Sequence, residues 1–285
     1  KDMLTELIWS LAKTQKRQLN KMRALFLMII CSFSLFSCEK EELDISGKTE
    51  EFTMKSSIIN DDYPIFVFLP SNYNPYEPNE LIIALDGEFR FDDIANIISE
   101  KSQNGSIPPC IFIAVGNSGE RNRDYTPTKY EHGKGGAENF YAFLKNELIP
   151  ELESRYSIDT LNTKTLIGNS FGGLFTNYVM FQNRIDNPFN KFISVGCSFW
   201  FDSGVIFEYE ENYSLNHSDL DVKYYSGMGT LEGGINLGSF DEMNDRLKNR
   251  SYSHLLMNTE FIEKHGHSGT ATIGFKNGLN YVFTN

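Results

Sequence analysis

Thr165-Leu166-Ile167-Gly168-Asn169-Ser170-Phe171-Gly172-Gly173-Leu174 runs from one short apolar stretch through a serine into another. Five of these residues spell G-x-S-x-G, with a further glycine behind them, where a strand would end and a helix begin. A serine on such a turn has its hydroxyl exposed above the sheet edge, and the next amide opens a helix whose dipole favours negative charge. The placement makes Ser170 a candidate nucleophile and the Phe171 N–H a candidate oxyanion donor. A base, an acid and a second donor must then come from elsewhere in the chain.

Outward from this turn, the pattern alternates. Strand-like runs occur at Ile65–Pro70, Leu81–Leu85, Ile111–Gly116, Phe192–Val195, Val222–Tyr225 and His254–Met257. Helical spacing marks Phe91–Lys101, Asn139–Tyr156, the segment after Ser170, Asp241–Asn249 and a closing stretch through Phe275, Leu279 and Val282. Wholly apolar strands between helices imply an α/β fold with a mainly parallel sheet covered on both faces. No internal repeat interrupts it, and residues 51–285 read as one catalytic domain.

The chain has 285 residues, 40% of them hydrophobic, with 23 Phe and 14 Tyr, enough for one substantial core. Its formal net charge is −12, which speaks against nucleic acid as a partner. Six Lys/Arg and two Asp/Glu fall within residues 1–38, leaving 20 basic and 36 acidic residues, a balance of −16, beyond them. The basic start reads as a targeting segment. Lys21-Met22-Arg23 precedes the apolar run Ala24–Ile30, and the run closes at Leu35-Phe36-Ser37-Cys38 before four charged residues. Leu, Ser and Cys at these positions resemble a bacterial lipobox, which implies lipidation at Cys38. Residues 1–37 then comprise an upstream extension and a lipoprotein signal peptide, with Met22 as initiator, and 38–50 an acidic tether. The expected location is the cell envelope, lipid-anchored to the outer membrane on its periplasmic or surface face. Lys40-Glu41-Glu42 resembles the Lys-plus-acid signal of some surface-exported lipoproteins. Cys110 and Cys197 adjoin apolar runs and read as buried free thiols. With no CxxC, HExxH or paired His/Cys spacing, neither a metal nor a cofactor is expected.

Activating a serine takes a histidine held by an acid, and in α/β-hydrolases the order along the chain is Ser, acid, His, each after a strand. His132 precedes Ser170, His217 lies in a polar stretch, and His254 begins a strand; His265 and His267 follow the last strand. For the acid, Glu232 sits in the glycine-rich loop Tyr225–Gly234, with Asp202 as the alternative. The second oxyanion donor is expected in Asp86-Gly87-Glu88-Phe89, from the amide of Gly87 or Glu88, because glycine permits close backbone approach.

Several further segments carry a resemblance. Leu85-Asp86-Gly87, Arg121-Asn122-Arg123-Asp124-Tyr125-Thr126-Pro127, Phe143–Pro150 followed by Arg155-Tyr156, and Ser198-Phe199-Trp200 occur in one order around the serine. Together they resemble the esterase family of α/β-hydrolases that includes siderophore-ester hydrolases, feruloyl and acetyl xylan esterases and esterase D. The resemblance runs from about Leu69 to the C-terminus and implies the α/β-hydrolase fold and serine esterase chemistry. In that family a histidine stands eleven residues before a Gly-Leu pair. Here that spacing joins His267 to Gly278-Leu279, which selects His267 over His265. Some siderophore esterases of the family work with a Ser-His dyad, so the acid is open between Glu232 and none. Arg121 and Arg123 are candidate cations of the substrate pocket or braces of their own loop, and Trp200 a pocket wall or core residue. The implied substrate is a small-molecule or glycan-linked ester, and the other expected partner is the membrane, reached through a lipid anchor at Cys38. The same residues would suit a serine peptidase, an acyltransferase or a ligand-binding lipoprotein on a hydrolase scaffold.

Overall fold

The computed structural model describes residues 45–160 and 164–284. The targeting segment, Cys38 and the first part of the tether lie outside the described residues. In chain order the strands are β1 (Gly47–Lys55), β2 (Asp62–Pro70), β3 (Glu80–Leu85), β4 (Cys110–Val115), β5 (Lys164–Asn169), β6 (Phe189–Val195), β7 (Asp219–Gly229) and β8 (Ser253–Ile262). The helices are α1 (Gly87–Gln103), α2 (Arg121–Asp124), α3 (Ala137–Phe143), α4 (Ile149–Arg155), α5 (Phe171–Met180), α6 (Phe201–Asn216), α7 (Gly234–Arg250) and α8 (His267–Phe283).

All eight strands form one sheet in the order β1-β2-β4-β3-β5-β6-β7-β8. The strands β3 to β8 are parallel, β2 runs antiparallel to β4, and β1 antiparallel to β2. The apolar runs of β4 and β5 are buried along their whole length, as a sheet between two helix layers requires. On one face α1 and α8 pack together: Phe91 stacks on Phe112 at 5.7 Å, and Gly274 and Gly278 let α8 close onto Val195 and Ile193. On the other face Tyr63, Tyr125, Phe140, Phe143 and Phe175 form a continuous ring cluster with centroids 4.6–6.0 Å apart. Leu174 and Phe175 of the serine-bearing helix are part of this core. This is the mainly parallel α/β sheet that the alternating pattern implies, in the α/β-hydrolase arrangement that the family resemblance implies.

Three differences have physical causes. The helix expected over 139–156 runs from Ala137 to Arg155 but widens into a π turn at Leu144–Leu148. Pro150 lacks an N–H and crowds the carbonyl of Asn146, which a wider turn accommodates. The helix α6 has no counterpart among the expected elements. Its start carries Asp202, Ser203 and Gly204 at positive φ, and its inward stripe of Ile206, Glu210 and Tyr213 contains a carboxylate. Glu210 is completely buried and accepts from Arg250 Nε and Tyr252 Oη, both at 2.9 Å. Finally, β1 begins inside the expected 38–50 tether: Gly47–Glu50 pair with Val67–Pro70. It is a polar edge strand, with Phe52 and Met54 packed inward against the core.

Candidate active site

At the end of β5 the chain turns at Ser170 with φ 61° and ψ −121°. For a residue with a Cβ this costs on the order of 1–3 kcal/mol, and the surroundings must enforce it. They do so by hydrogen bonds. The Ser170 amide donates to Val195 O at 3.0 Å, and its carbonyl accepts from Leu174 N at 3.0 Å and Ser198 N at 3.3 Å. A Cβ on Gly168 would collide with the Gly172 carbonyl, so the first glycine of the motif lets strand and helix pack backbone to backbone. The preceding Asn169 donates to Val195 O at 2.9 Å and accepts from Arg90 Nη2 at 3.0 Å. The turn is thereby tied to β6 and to α1.

The loops after β7 and β8 are fastened to each other. Thr230 N donates to Ile262 O at 3.1 Å, Leu231 N to His265 O at 3.0 Å, and Lys264 N to Thr230 Oγ1 at 2.9 Å. This places Glu232 against the start of α8. The Glu232 side chain is fully buried, its Oε1 accepting from Gly229 N at 3.0 Å and its Oε2 lying 2.6 Å from His267 Nδ1. Burial by itself raises the pKa of this carboxyl, but the hydrogen bonds from His267 and the Gly229 amide outweigh it and hold it below the usual carboxylate range. A Cβ on Gly196 would lie 3.3 Å from both Glu232 oxygens and 3.1 Å from Asn169 Nδ2, so the carboxylate sits beside the serine turn.

His267 has about half of its side chain exposed. Its Nδ1 faces the carboxylate, which leaves Nε2 as the acceptor. His265 instead directs Nδ1 to Glu263 O at 2.7 Å within its own loop. Asp202 accepts from Thr128 Oγ1 at 2.7 Å, and His254 pairs with Asp219 at 2.6 Å on the far rim of the sheet. Glu232 and His267 are brought together; His265 and Asp202 are not.

The loop after β3 meets the first turn of α5. Asp86 adopts a left-handed conformation, φ 59° and ψ 46°, and Gly87 opens α1. A side chain at Gly87 would lie 2.8 Å from Phe66 Cδ2 and 2.9 Å from Gly116 N. The first amides of a helix have no intrahelical acceptor, which leaves Phe171, Gly87 and Glu88 N–H groups at two adjoining helix N-termini. The Glu88 carboxylate is turned away, accepting from Asn117 N at 2.6 Å.

Both candidate arginines are engaged within the chain. Arg123 pairs with Asp61 and Asp124, each at 2.7 Å, and donates to Tyr63 Oη at 3.2 Å, so it braces its loop. Arg121 grips Asp86 through Nε at 2.5 Å and Nη2 at 2.7 Å. Trp200 is 39% exposed, 6.3 Å from the Phe171 ring. With Glu232, Gly233, Gly234, Ile235 and Asn236 it lines a cleft of about 400 Å³. A larger cleft of about 640 Å³ between α6 and α7 is lined by neither Ser170 nor a histidine. Among the described residues no group of three or more His, Cys, Asp or Glu is placed to hold a metal, and Cys110 and Cys197 are buried and free. Sequence reading passed over Arg90, Asn169 and Tyr125 as site supports, because each acts through a partner 26 to 79 residues away.

Residues 56–197 match the Esterase family model, described as "Putative esterase". The ferri-bacillibactin esterase BesA of Bacillus subtilis (strain 168) is 30% identical over 155 residues, 46% of this chain and 53% of its own length. The match therefore spans about half of that relative. The uncharacterized protein YjcH of the same organism is 28% identical over 213 residues, 71% of this chain and 83% of its own. Among solved structures, the BES protein from Bacillus cereus has a TM-score of 0.74 at 26% identity, covering 86% of this chain and 98% of that one. An IroE-like serine hydrolase from Shewanella oneidensis shares the fold, with a TM-score of 0.76 at 23% identity over 83% and 80% of the two chains. The matched region carries the serine turn, the Asp86 loop and the Arg121 segment. On motif, fold and sequence likeness together, the chain belongs to the Esterase family of α/β-hydrolases.

Proposed function

We propose that this protein is a serine carboxylic-ester hydrolase in which Ser170 is the nucleophile, His267 the base and Glu232 the acid. The observation that carries the reading is the 2.6 Å hydrogen bond between His267 Nδ1 and the buried Glu232 carboxylate, on loops beside the strained Ser170 turn. Ser170 Oγ attacks the ester carbonyl while its proton passes to His267 Nε2. Glu232 stabilises the imidazolium and keeps Nδ1 protonated. The negative oxygen is held by Phe171 N–H and by the amide of Gly87 or Glu88. His267 then protonates the departing alcohol, leaving an acyl-serine, and water deprotonated by the same nitrogen releases the acid. Ser170 Oγ and His267 Nε2 form no hydrogen bond with each other in the described structure. That contact commonly tightens only around substrate.

The cleft between Trp200 and Ile235 would take the apolar part of a small ester. A siderophore ester is the first to try, because BesA is named for one. Glycan-linked and simple acyl esters are the other arms of the screen, with amide substrates and acyl acceptors added to separate a peptidase or a transferase. A fluorophosphonate should label purified protein at Ser170, and Ser170→Ala should abolish both labelling and p-nitrophenyl acetate turnover. Unlabelled wild-type protein would favour a binding role instead. We further propose a lipid anchor at Cys38 that holds the enzyme at the cell envelope. Cys38→Ala should then move the protein from the detergent phase to the aqueous phase.

A further inference from the structure

We propose that Arg121 is a positioning residue that locks the turn carrying the second oxyanion donor and neutralises the carboxylate built into it. The inference rests on the ester-hydrolase reading above and assigns Arg121 a task other than holding substrate. Asp86 is a non-glycine residue in the left-handed region, immediately before the Gly87 and Glu88 amides. Such a conformation persists only where contacts fix it. Here the short contacts are the two-pronged grip of Arg121 on the Asp86 carboxylate and the Tyr125 hydroxyl accepting from the Asp86 amide at 3.0 Å, with Asn117 Nδ2 donating to Asp86 Oδ1 at the longer distance of 3.5 Å. The same guanidinium lies 5.0 Å from the Tyr125 ring centroid, and its Nη2 is 3.5 Å from the carbonyl of Asn169, which precedes the nucleophile. One cation thus bridges the donor loop and the serine turn.

Charge gives the second half of the argument. The Asp86 side chain is 6% exposed, and a Cβ on Gly172 would lie 3.4 Å from its Oδ2. A carboxylate therefore flanks the first turn of α5, where the Phe171 amide must receive a negative oxygen. Unpaired, it would repel that oxygen and compete for the same amides. A planar fork matches a carboxylate in a way an ammonium cannot. The forked edge of Arg121, Nε with Nη2, is already committed to Asp86 and is not free for an acidic substrate group.

The test compares wild type, Arg121→Ala, Arg121→Lys and the double variant Asp86→Asn/Arg121→Ala. The substrates are neutral p-nitrophenyl acetate and the anionic p-nitrophenyl hemisuccinate, and hydrogen exchange is followed over residues 85–90. We expect Arg121→Ala to lower kcat at least 30-fold on both esters with KM changed less than threefold, and to speed exchange over 85–90. Arg121→Lys should fall between it and wild type, and the double variant should recover about tenfold over Arg121→Ala by removing the unpaired charge. A rise in KM confined to the hemisuccinate, with kcat and exchange unchanged, would overturn the proposal in favour of a substrate ligand. Unchanged kcat, KM and exchange would overturn it outright. Failure of the esterase reading itself appears separately, as wild-type turnover that survives Ser170→Ala.

Discussion

Replacing Glu232 with glutamine keeps the size of a fully buried side chain and removes only its charge and one acceptor oxygen. The structure dictates how the amide must sit. Gly229 N–H, 3.0 Å from Oε1, is a donor, so the glutamine carbonyl has to face it. The amide NH2 is then left toward His267 Nδ1, 2.6 Å from the present Oε2, and it too is a donor. His267 can satisfy that contact only by accepting at Nδ1, which moves its proton to Nε2, the nitrogen that must take the serine proton. The geometry survives and the tautomer is wrong. In the Ser-His-Asp enzymes the equivalent change lowers kcat about 10⁴-fold, or about 5.4 kcal/mol at 1.36 kcal/mol per decade. Glu232→Gln should therefore lower kcat for p-nitrophenyl acetate by about 10³ to 10⁴, with KM little changed and cooperative unfolding retained. Stopped-flow or steady-state absorbance at several substrate concentrations measures both parameters. Activity within tenfold of wild type would refute this reasoning and leave a Ser-His dyad.

Two further outcomes are expected. Glycine at position 170 relieves the φ of 61°, so Ser170→Gly should be inactive yet about 1 kcal/mol more stable in urea denaturation; a destabilised variant would show that the turn is not strained. The carboxyl of Glu232 is held below its ordinary pKa in the folded state. Its stabilising effect is therefore complete above the unfolded value, about pH 4.3, and is lost as pH falls through the lower folded value. Wild-type Tm should thus fall more steeply than that of Glu232→Gln as the solution is taken from pH 6 to pH 3, whereas parallel curves would count against the carboxylate–imidazole bond.

Legibility in the sequence followed the range of the interactions involved. The buried strands β3 and β4 are almost wholly apolar runs, and β5 with its serine turn is a short apolar stretch followed by local chain geometry, so all can be read from neighbouring residues. β1 could not, since an edge strand needs few apolar residues and its pairing comes from β2. α6 could not, because a left-handed turn breaks its start and the stripe includes Glu210, a core position only because Arg250 and Tyr252 meet it.

The site divides along the same line. Sequence alone determined that a serine would stand on a strand-to-helix turn of an α/β sheet, with glycines on both sides and a late histidine and a loop glutamate in order after it. Those are matters of residue type and local backbone. The tertiary structure decided which carboxylate meets which imidazole: Glu232 faces His267, while His265 turns to its own loop and Asp202 to Thr128. It also decided that Arg121 closes on Asp86, 35 residues away. Such pairings are set by where parallel strands end side by side, and that is a property of the folded sheet.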